Sequence, residues 1–361
     1  MRLLALAAAC LLVCAACGGG DDGSGDAAGG ITAPGKVGVI LPDTASSQRW
    51  SLDDPRYLKA AFDAAGVPVE IQNAQGDKSQ FRTLADGMIA AGVAVLMIVN
   101  LDAATGRDVL QRAREAGIAT IDYDRLTVGG AADYYVSFDN VAVGKLQGEG
   151  LVRCLAEKKA VKPVVAALHG SPDDNNAALF QQGYDSVLAP RFASGEYVEG
   201  PDEAVPEWDD DRAAEIFARQ LDRNSDIGGV LAANDGLADA VISVLQKRRL
   251  AGQVPVTGQD ATVRGLQNVL AGDQCMTVYK PIKQEADAAA DLAISLAQNE
   301  KRNVAQSVAD PQSDAGVPAV LLTPEAVYPE NVKDVVADGF VTREALCTGV
   351  YARLCARHGV R

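Results

Sequence analysis

The sequence predicts an α/β protein built from two similar lobes, each a parallel sheet flanked by helices. Short apolar runs alternate with helical stretches along almost the whole chain, which is typical of parallel strands joined by crossover helices. The chain has 361 residues, of which 48% are apolar, so it is long enough for two domains and can bury a large core. There are too many strand–helix units for one comfortable sheet, and this favours two lobes.

The first series of units extends from about residue 36 to residue 140. The apolar run at 37–41 has the pattern of a central parallel strand. The segment 79–91 carries apolar side chains at helical spacing and ends before Gly92, a common helix stop. In this part we predict strands at 37–41, 69–72, 93–99 and 118–123 and helices at 54–65, 79–91 and 107–116.

The same alternation resumes after a break near residue 140, with an acidic loop around Trp208. Because the rhythm is repeated, we expect a second lobe of the same kind. Here we predict helices at 140–157, 177–188, 212–221, 237–246 and 283–297 and strands at 164–168, 197–198, 229–232, 254–256 and 276–279.

Polar clusters follow several of the predicted strands. Asp124-Arg125, Asn234-Asp235 and Gln259-Asp260 each come directly after one. In open α/β sheets, ligands bind beyond the carboxyl ends of the strands, so the clusters predict a binding cleft. A structural interpretation stays open for each cluster alone, since Asp-Arg can be a surface ion pair and Asn-Asp can cap a helix.

The two tryptophans, Trp50 and Trp208, have polar neighbours rather than apolar ones. Tryptophan is more often a core residue, but these neighbours favour a solvent-facing, ligand-contacting role. A sugar needs fixed polar groups for its hydroxyls and an aromatic platform for its C–H face. Asp, Arg and Asn supply the polar groups.

Composition and motifs argue against several other functions. The net charge of −15 does not suit a nucleic-acid partner. His169 and His358 are the only histidines, and no CxxC spacing occurs among the four cysteines after Cys17, so we expect no metal site. The chain has no GxSxG or P-loop motif and no GxGxxG that opens a helix, and we therefore expect neither a cofactor nor enzymatic activity.

The N-terminal residues 1–16 have a basic start and an apolar run that is too short to span a membrane, and they predict a secretory signal peptide. Ala15-Ala16-Cys17 resembles a bacterial lipobox, which predicts lipidation of Cys17, although Cys14 stands where the motif usually has Leu. The alternative is ordinary secretion with cleavage after Ala16. The Gly- and Asp-rich segment up to residue 35 predicts a flexible linker.

Four cysteines remain once the signal peptide and Cys17 are set aside, an even number that suits an oxidising compartment. Cys347 and Cys355 are close in sequence and could form a disulfide. Cys154 and Cys275 are then the residual pair, and four free thiols are the alternative.

The body of the chain, from about residue 36 to 346, resembles the periplasmic sugar-binding proteins of ABC transporters. The resemblance rests on a series of segments in a specific order and spacing. These are Gln48-Arg49-Trp50, Tyr123-Asp124-Arg125, Ser137-Phe138-Asp139-Asn140, Gly170-Ser171-Pro172 leading to Asn175-Asn176, Asn234-Asp235, Gly258-Gln259-Asp260 and Met276-Thr277-Val278-Tyr279-Lys280-Pro281-Ile282.

The resemblance implies a two-lobe periplasmic-binding-protein fold of type I with three hinge crossings. The N-terminal lobe would comprise residues 36–140, with about 281–305 returning to it. The C-terminal lobe would comprise 141–280 with about 318–346. Residues 347–361 would form a tail outside the likeness.

The resemblance also implies roles for particular residues. Polar ligands from the first lobe would be Arg49, Asp124 and Arg125. The second lobe and the hinge would supply Asn175, Asn234, Asp260 and Lys280. Trp50 and Trp208 would pack on the sugar ring. The small residues at 44–47 and Gly236-Leu237 depart from the expected pattern and leave the identity of the sugar open.

The expected function is that of an extracytoplasmic lipoprotein at the outer face of the cell membrane. A monomer would bind a monosaccharide, D-xylose first, and deliver it to an ABC permease by hinge closure. Ribose, glucose and galactose are alternative ligands, and a sugar-sensing lipoprotein is an alternative role. A repressor with the same body would need a DNA-binding domain before residue 36, where the signal peptide stands instead.

Overall fold

The structure, a computed structural model, describes residues 35–313 and 315–361, which belong to one compact unit. The predicted signal peptide, lipobox and most of the linker lie outside the described residues. The strands are β1 (Val37–Leu41), β2 (Val69–Asn73), β3 (Val95–Ile98), β4 (Ala119–Tyr123), β5 (Tyr134–Phe138), β6 (Val164–His169), β7 (Val198–Ala204), β8 (Ile227–Ala232), β9 (Thr277–Tyr279), β10 (Gln306–Ala309), β11 (Gly316–Leu322) and β12 (Glu325–Val327).

The helices alternate with these strands over most of the chain. They are α1 (Arg49–Ala65), α2 (Lys78–Ala90), α3 (Ala103–Glu115), α4 (Asn140–Glu157), α5 (Asn175–Ser194), α6 (Asp210–Arg223), α7 (Asp235–Lys247), α8 (Val263–Ala271), α9 (Ile282–Ala297), α10 (Val332–Ala337), α11 (Arg343–Leu346) and α12 (Tyr351–Arg357), with a short 3-10 segment at Pro206–Trp208.

The first lobe is built on a seven-stranded sheet with the order β10-β11-β5-β4-β3-β1-β2. Every neighbouring pair is parallel except β10 with β11. Strand β1 is buried along its whole length, as its uninterrupted apolar sequence predicted. Helices α1 and α9 pack on one face of the sheet, in the cluster that holds Leu58, Phe62 and Ala289, and α2 and α3 pack on the other.

The second lobe has a parallel three-stranded sheet in the order β7-β6-β8 and an antiparallel pair of β9 with β12. The predicted strand at 254–256 is reduced to a single parallel bridge between Val230 and Val256. Helices α4, α5, α6 and α7 enclose the main core of this lobe, which contains Leu151, Phe180, Phe217 and Val241.

The chain passes between the lobes three times. It leaves the first sheet after β5 and returns to that lobe after β9. The third crossing differs from prediction, because β11 pairs in parallel with β5 and extends the first sheet to Leu322. Residues from about 318 were predicted in the second lobe. The pairing of Ala319 with Tyr135, 184 residues earlier in the chain, cannot be predicted from a local sequence pattern.

The C-terminal residues form part of the core rather than a separate tail. Leu346, Cys355 and Val360 are buried with Leu266 and Val269 of α8. A disulfide joins Cys347 to Cys355, with a Cα–Cα distance of 5.9 Å. A second joins Cys154 of α4 to Cys275, with a Cα–Cα distance of 6.3 Å.

Side-chain caps define the starts of the helices that face the cleft. Asp174 accepts a hydrogen bond from the backbone N–H of Asn176 at the start of α5. Asn234 accepts one from the backbone N–H of Leu237 at the start of α7, with an O–N distance of 2.8 Å. Such caps satisfy backbone donors that a helix leaves unpaired. Within residues 35–313 and 315–361, none of the helices combines the length and apolarity that crossing a bilayer requires.

Candidate functional site

A small cavity lies between the carboxyl ends of the strands of the two lobes, with a volume of about 30 Å³ open to a water-sized sphere. We call it the central cavity. Its walls come from both lobes and from the crossing that follows β9. The lining residues are Ser46, Ser47, Arg49, Trp50, Asp124, Arg125, Asp174, Asn176, Phe180, Trp208, Asn234, Gln259, Asp260 and Lys280.

Three cations line the central cavity, and each is paired with a carboxylate that lines it too. Arg49 Nη1 lies 2.7 Å from Asp124 Oδ2. Arg125 Nε lies 3.0 Å from Asp174 Oδ2, and this pair joins the two lobes. The third pair is Lys280 Nζ and Asp260 Oδ1 at 3.1 Å. Since all six side chains are buried, the cavity is strongly polar and yet balanced in formal charge.

Arg49 is the most heavily bonded side chain of the site. Its Nε and Nη2 donate to the two oxygens of Asp54 at 2.8 and 2.7 Å, and Nη2 also donates to Glu285 Oε2 at 2.5 Å. The Tyr123 hydroxyl donates to Asp54 from behind at 2.5 Å. Although burial lowers it, the neighbouring acidic side chains, first of all Asp54, raise the pKa of the Arg49 guanidinium well above its ordinary value. Arg49 is therefore a fixed cation.

The pKa values of the carboxyl groups around the cavity are shifted in different directions. Burial raises the pKa of Glu285 to about 8, with further contributions from Asp124 and Asp54, against the opposing effect of Arg49. Burial also raises the pKa of Asp174 above its ordinary value, although Arg125 opposes the rise. At Asp124, burial is outweighed by Arg49, Lys280 and Arg125, which lower the pKa of the carboxyl. Asp124 is thus charged and Glu285 is mostly protonated at neutral pH.

Three lining residues have left-handed backbone conformations, with φ of 61° at Asp124, 56° at Trp208 and 101° at Asp260. Such conformations cost about 1–3 kcal/mol each in residues other than glycine and are concentrated at functional sites. Asp124 and Asp260 are held in equivalent ways, because their N–H groups donate to the carbonyls of Val136 and Val278, each at 2.8 Å. Both lobes therefore turn one aspartate into the cavity at a strand end.

The two tryptophans lie in the walls of the cavity and are almost completely buried. The Arg49 guanidinium carbon is 4.2 Å from the centre of the Trp50 ring. Trp208 Nε1 donates to Asp174 Oδ2 at 3.2 Å, and the Trp208 ring meets Phe180 edge-on at 6.4 Å. The sequence predicted that both rings face solvent. In the structure both are buried, and both belong to the lining of the cavity.

Hydrogen bonds between the lobes close the cavity. Asn176 Nδ2 donates to the carbonyl oxygen of Asp124 at 3.0 Å and to its Oδ1 at 3.2 Å. Ser47 Oγ donates to Asp260 Oδ2 at 3.5 Å. Together with the pair of Arg125 and Asp174, these contacts hold strand ends of the two lobes within direct reach of each other.

The structure brings together eight of the nine predicted ligand residues: Arg49, Trp50, Asp124, Arg125, Trp208, Asn234, Asp260 and Lys280. Asn175 is not among the described lining residues, and Asn176 takes that place. The two residues are consecutive in the first turn of α5, so their side chains point about 100° apart around the helix axis. Sequence could place the asparagine pair at the cleft but could not decide which one faces it.

Five further lining residues were not predicted as ligands: Ser46, Ser47, Asp174, Phe180 and Gln259. Gln259 was within reach of sequence reasoning, because it directly precedes Asp260 after a predicted strand. Asp174 stands next to the asparagine pair. The sequence held no comparable indication for Phe180, which lies in the second turn of α5 with the spacing of an ordinary core residue.

Residues 37–301 match the family model described as periplasmic binding protein domain. The chain is 36% identical to a D-xylose-binding periplasmic protein of Haemophilus influenzae, over 86% of this chain and 92% of that protein. It is 35% identical to a protein of the same description from Escherichia coli, over 84% and 90%. A multiple sugar-binding periplasmic receptor of Rhizobium radiobacter is 34% identical, over 84% of this chain and 90% of that protein.

Solved structures show the same architecture. A carbohydrate transporter solute-binding protein of Chloroflexus aurantiacus in complex with D-glucose has a TM-score of 0.78 and 28% identity, covering 86% of this chain and 97% of that one. An ABC transporter solute-binding protein of Clostridium phytofermentans with bound β-D-glucose has a TM-score of 0.79 and 27% identity, covering 86% and 99%.

A two-lobe α/β fold with a polar cavity between strand ends defines a ligand-binding protein of the type I periplasmic class. The chain belongs to the periplasmic binding protein family. The fold class and the family resemblance predicted from sequence are thereby confirmed, and the chain is a binding protein rather than an enzyme.

Proposed function

We propose that this protein binds a monosaccharide, D-xylose first among the candidates, in the central cavity. It would act outside the cytoplasm as the binding protein of an ABC importer and deliver the sugar to the permease. The observation that carries the proposal is the set of three buried cation–carboxylate pairs that line one cavity between the lobes.

Such a lining suits a neutral ligand rich in hydroxyl groups. An anionic or cationic ligand would need an unbalanced site, whereas each cation here already has its counter-charge. A sugar hydroxyl both donates and accepts hydrogen bonds, so it can lie between a carboxylate of one pair and a cation of another. Hydrogen bonds to charged groups are the stronger kind, contributing about 1.5–3 kcal/mol each.

The aromatic side chains and unpaired polar atoms of the lining are suited to contact with a pyranose ring. Trp50, Phe180 and Trp208 supply apolar surface for the C–H faces of a sugar. Three side-chain atoms of buried lining residues, Trp50 Nε1, Arg125 Nε and Gln259 Oε1, have no hydrogen-bond partner among the described residues, although Arg125 Nε lies within ion-pair distance of Asp174. Two are donors and one is an acceptor, which is what a hydroxylated ligand would satisfy.

Binding would act through closure of the lobes. The ligand would touch Asp124 and Arg125 of the first lobe and Asn234 and Asp260 of the second, and it would stabilise the closed state by its higher affinity for it. The closed shape is what the permease would recognise.

D-Xylose is favoured over hexoses by the relatives named for it, which share 35–36% identity with most of this chain. A pentopyranose lacks the exocyclic CH₂OH of glucose or galactose. A cavity wall close to that position would exclude the larger sugars by steric conflict.

The test is calorimetric titration of residues 36–361 with D-xylose, D-ribose, D-glucose and D-galactose. We expect one-to-one binding of D-xylose and weaker or absent binding of the others. The variant Lys280→Ala should abolish binding, because it leaves Asp260 unpaired. Its matched control, Lys283→Ala, removes an exposed lysine of the next helix turn and should bind as the wild type does. Absence of heat with all four sugars would refute the monosaccharide proposal.

A broader sugar range is the alternative, and it is favoured by the relatives described as binding multiple sugars at 34% identity. Comparable affinity for D-xylose, D-glucose and D-galactose in the same titrations would support it. It would also favour a sensing role over import of one pentose.

We further propose that Cys17 is lipidated and anchors the protein to the outer face of the membrane. The support is the apolar segment and the Ala15-Ala16-Cys17 motif. In cells, the variant Cys17→Ser should move the protein from the membrane fraction to the soluble fraction; retention in the membrane fraction would exclude the lipid anchor.

A further inference from the structure

Glu285 is a completely buried carboxyl group that does not line the central cavity. It lies in the first turn of α9, five residues after Lys280, on the crossing that carries the chain from the second lobe to the first. Its Oε2 accepts from Arg49 Nη2 at 2.5 Å. Its Oε1 is buried and has no hydrogen-bond partner among the described residues.

A continuous series of contacts leads from Glu285 to the opposite lobe. Arg49 contacts Asp124 at 2.7 Å, and Asp124 accepts from Asn176 of the second lobe at 3.2 Å. Glu285 therefore contacts the side chain that fixes the first lobe's aspartate, and it does so from the first turn of the helix that follows the crossing.

We propose that Glu285 is a positioning residue that couples the crossing between the lobes to Arg49, and that it does so as a neutral carboxylic acid. The inference rests on the proposed function, since it assigns Glu285 a role in the affinity for the sugar.

The charges around Glu285 explain why the neutral form suits the site. The groups that face it are Arg49 and Asp54 of α1, Tyr123 and Asp124 at the end of β4, Tyr135 of β5, and Lys280 before α9. Arg49 already forms ion pairs with Asp54 and Asp124, which are both completely or almost completely buried. A third carboxylate on the same guanidinium would leave a buried excess of negative charge, which is costly.

A sugar in the central cavity would displace water from beside Arg49 and Asp124, which line it, and would make the charged form of Glu285 still less favourable. The protein would therefore take up a proton at Glu285 when it binds sugar above pH 8, where the free protein begins to lose that proton. Since binding and protonation are linked, affinity should fall as the pH rises through this range, by up to about tenfold per pH unit.

Sugar titrations of four proteins between pH 6.5 and 9.5 test the proposal. In the wild type, affinity should fall above pH 8. Glu285→Gln, which imitates the neutral acid, should lose most of that fall. Glu285→Ala should weaken binding by tenfold or more at every pH. The substitution removes a hydrogen-bond acceptor of Arg49 and leaves a cavity beside its guanidinium, so the side chain is no longer held in place. Asp287→Asn changes an exposed carboxyl of the same helix that pairs with Lys283, and it should keep the wild-type pH profile.

A second measurement needs no ligand. Trp50 lies against Arg49, and Trp208 is the only other tryptophan of the chain. In a Trp208→Phe background, Trp50 fluorescence should change with a midpoint near pH 8, and Glu285→Gln should abolish that change.

The two measurements separate the proposals. A wild type that binds none of the sugars but shows the Glu285-dependent fluorescence change refutes the monosaccharide function and retains the coupling to Arg49. An equal fall of affinity with pH in wild type and Glu285→Gln, or a fluorescence change that persists in Glu285→Gln, refutes the role of Glu285.

Discussion

Asp260 shows how a single residue combines backbone strain, charge and contact between lobes. Its backbone is left-handed at φ 101°, its Oδ1 pairs with Lys280, and its Oδ2 accepts from Ser47 of the other lobe. A residue held this way has a fixed side-chain direction before any ligand arrives. Preorganised groups of this kind bind without a large cost in conformational entropy.

We expect Asp260→Ala to remove detectable sugar binding while the fold persists. Truncating one partner of a buried charge pair costs about 2–5 kcal/mol, which corresponds to roughly 30-fold or more in affinity. Calorimetry measures the loss, and circular dichroism with urea denaturation checks the fold. Wild-type affinity in a folded Asp260→Ala protein would show that Asp260 lies outside the ligand contacts.

At the scale of elements, the close packing of α4 on α5 positions the second lobe's part of the site. Gly183 of α5 faces the backbone of α4, and a Cβ there would lie 2.2 Å from the carbonyl oxygen of Val141. Gly144 of α4 meets the carbonyl oxygen of Phe180 in the same way, at 1.9 Å. The start of α5 carries Asn176 and Phe180 into the cavity, so the glycine contact fixes where these side chains lie.

Gly183→Ala should therefore force the two helices apart, with a loss of at least about 1–3 kcal/mol in the free energy of unfolding and weaker sugar binding. Urea denaturation and calorimetry measure the two effects. The matched control is Gly87→Ala in α2, where a Cβ meets nothing within 4 Å. This control should gain about 0.5–1 kcal/mol, since alanine is the better helix former. If both variants showed the same change in stability and in sugar binding, the close contact between α4 and α5 would not determine either property.

At the scale of the whole molecule, several buried carboxyl groups make stability depend on pH. Burial raises the pKa of Asp122 to about 7, that of Asp235 to about 7 and that of Glu285 to about 8. In the unfolded chain these groups titrate near pH 4. Between pH 4 and 8 the folded state therefore binds more protons than the unfolded state, and its stability falls as the pH rises.

The opposite sign applies to Asp124 and Asp102, whose pKa values are lowered in the folded protein. Their contribution is lost as the pH falls below about 4. We therefore expect the free energy of unfolding to be greatest near pH 4–6 and to decrease toward pH 8. Urea denaturation at pH 5, 6.5 and 8 measures this. The decrease should be smaller in Asp235→Asn, and a stability that rises toward pH 8 would contradict the buried neutral carboxyls.

The sequence by itself determined the alternation of strands and helices, the two lobes and the strand ends that carry the site. These features depend on local periodicity and on the positions of turn-forming and polar residues, so they can be predicted from residues that are close in sequence. It also placed eight of the nine predicted ligand residues where the cavity forms. Family resemblance supplied their roles, which the titrations above would test.

Only the tertiary structure decided how the charges pair, which asparagine faces the cavity, and where the third crossing lies. Arg49 meets partners 75 and 236 residues away, and β11 joins a sheet whose neighbouring strand ended far earlier in the chain. The burial of both tryptophans and the contact of Glu285 with Arg49 follow from the same long-range packing. Local sequence constrains the direction of a side chain relative to its own element, whereas its neighbours and their effect on its charge depend on how distant elements pack together.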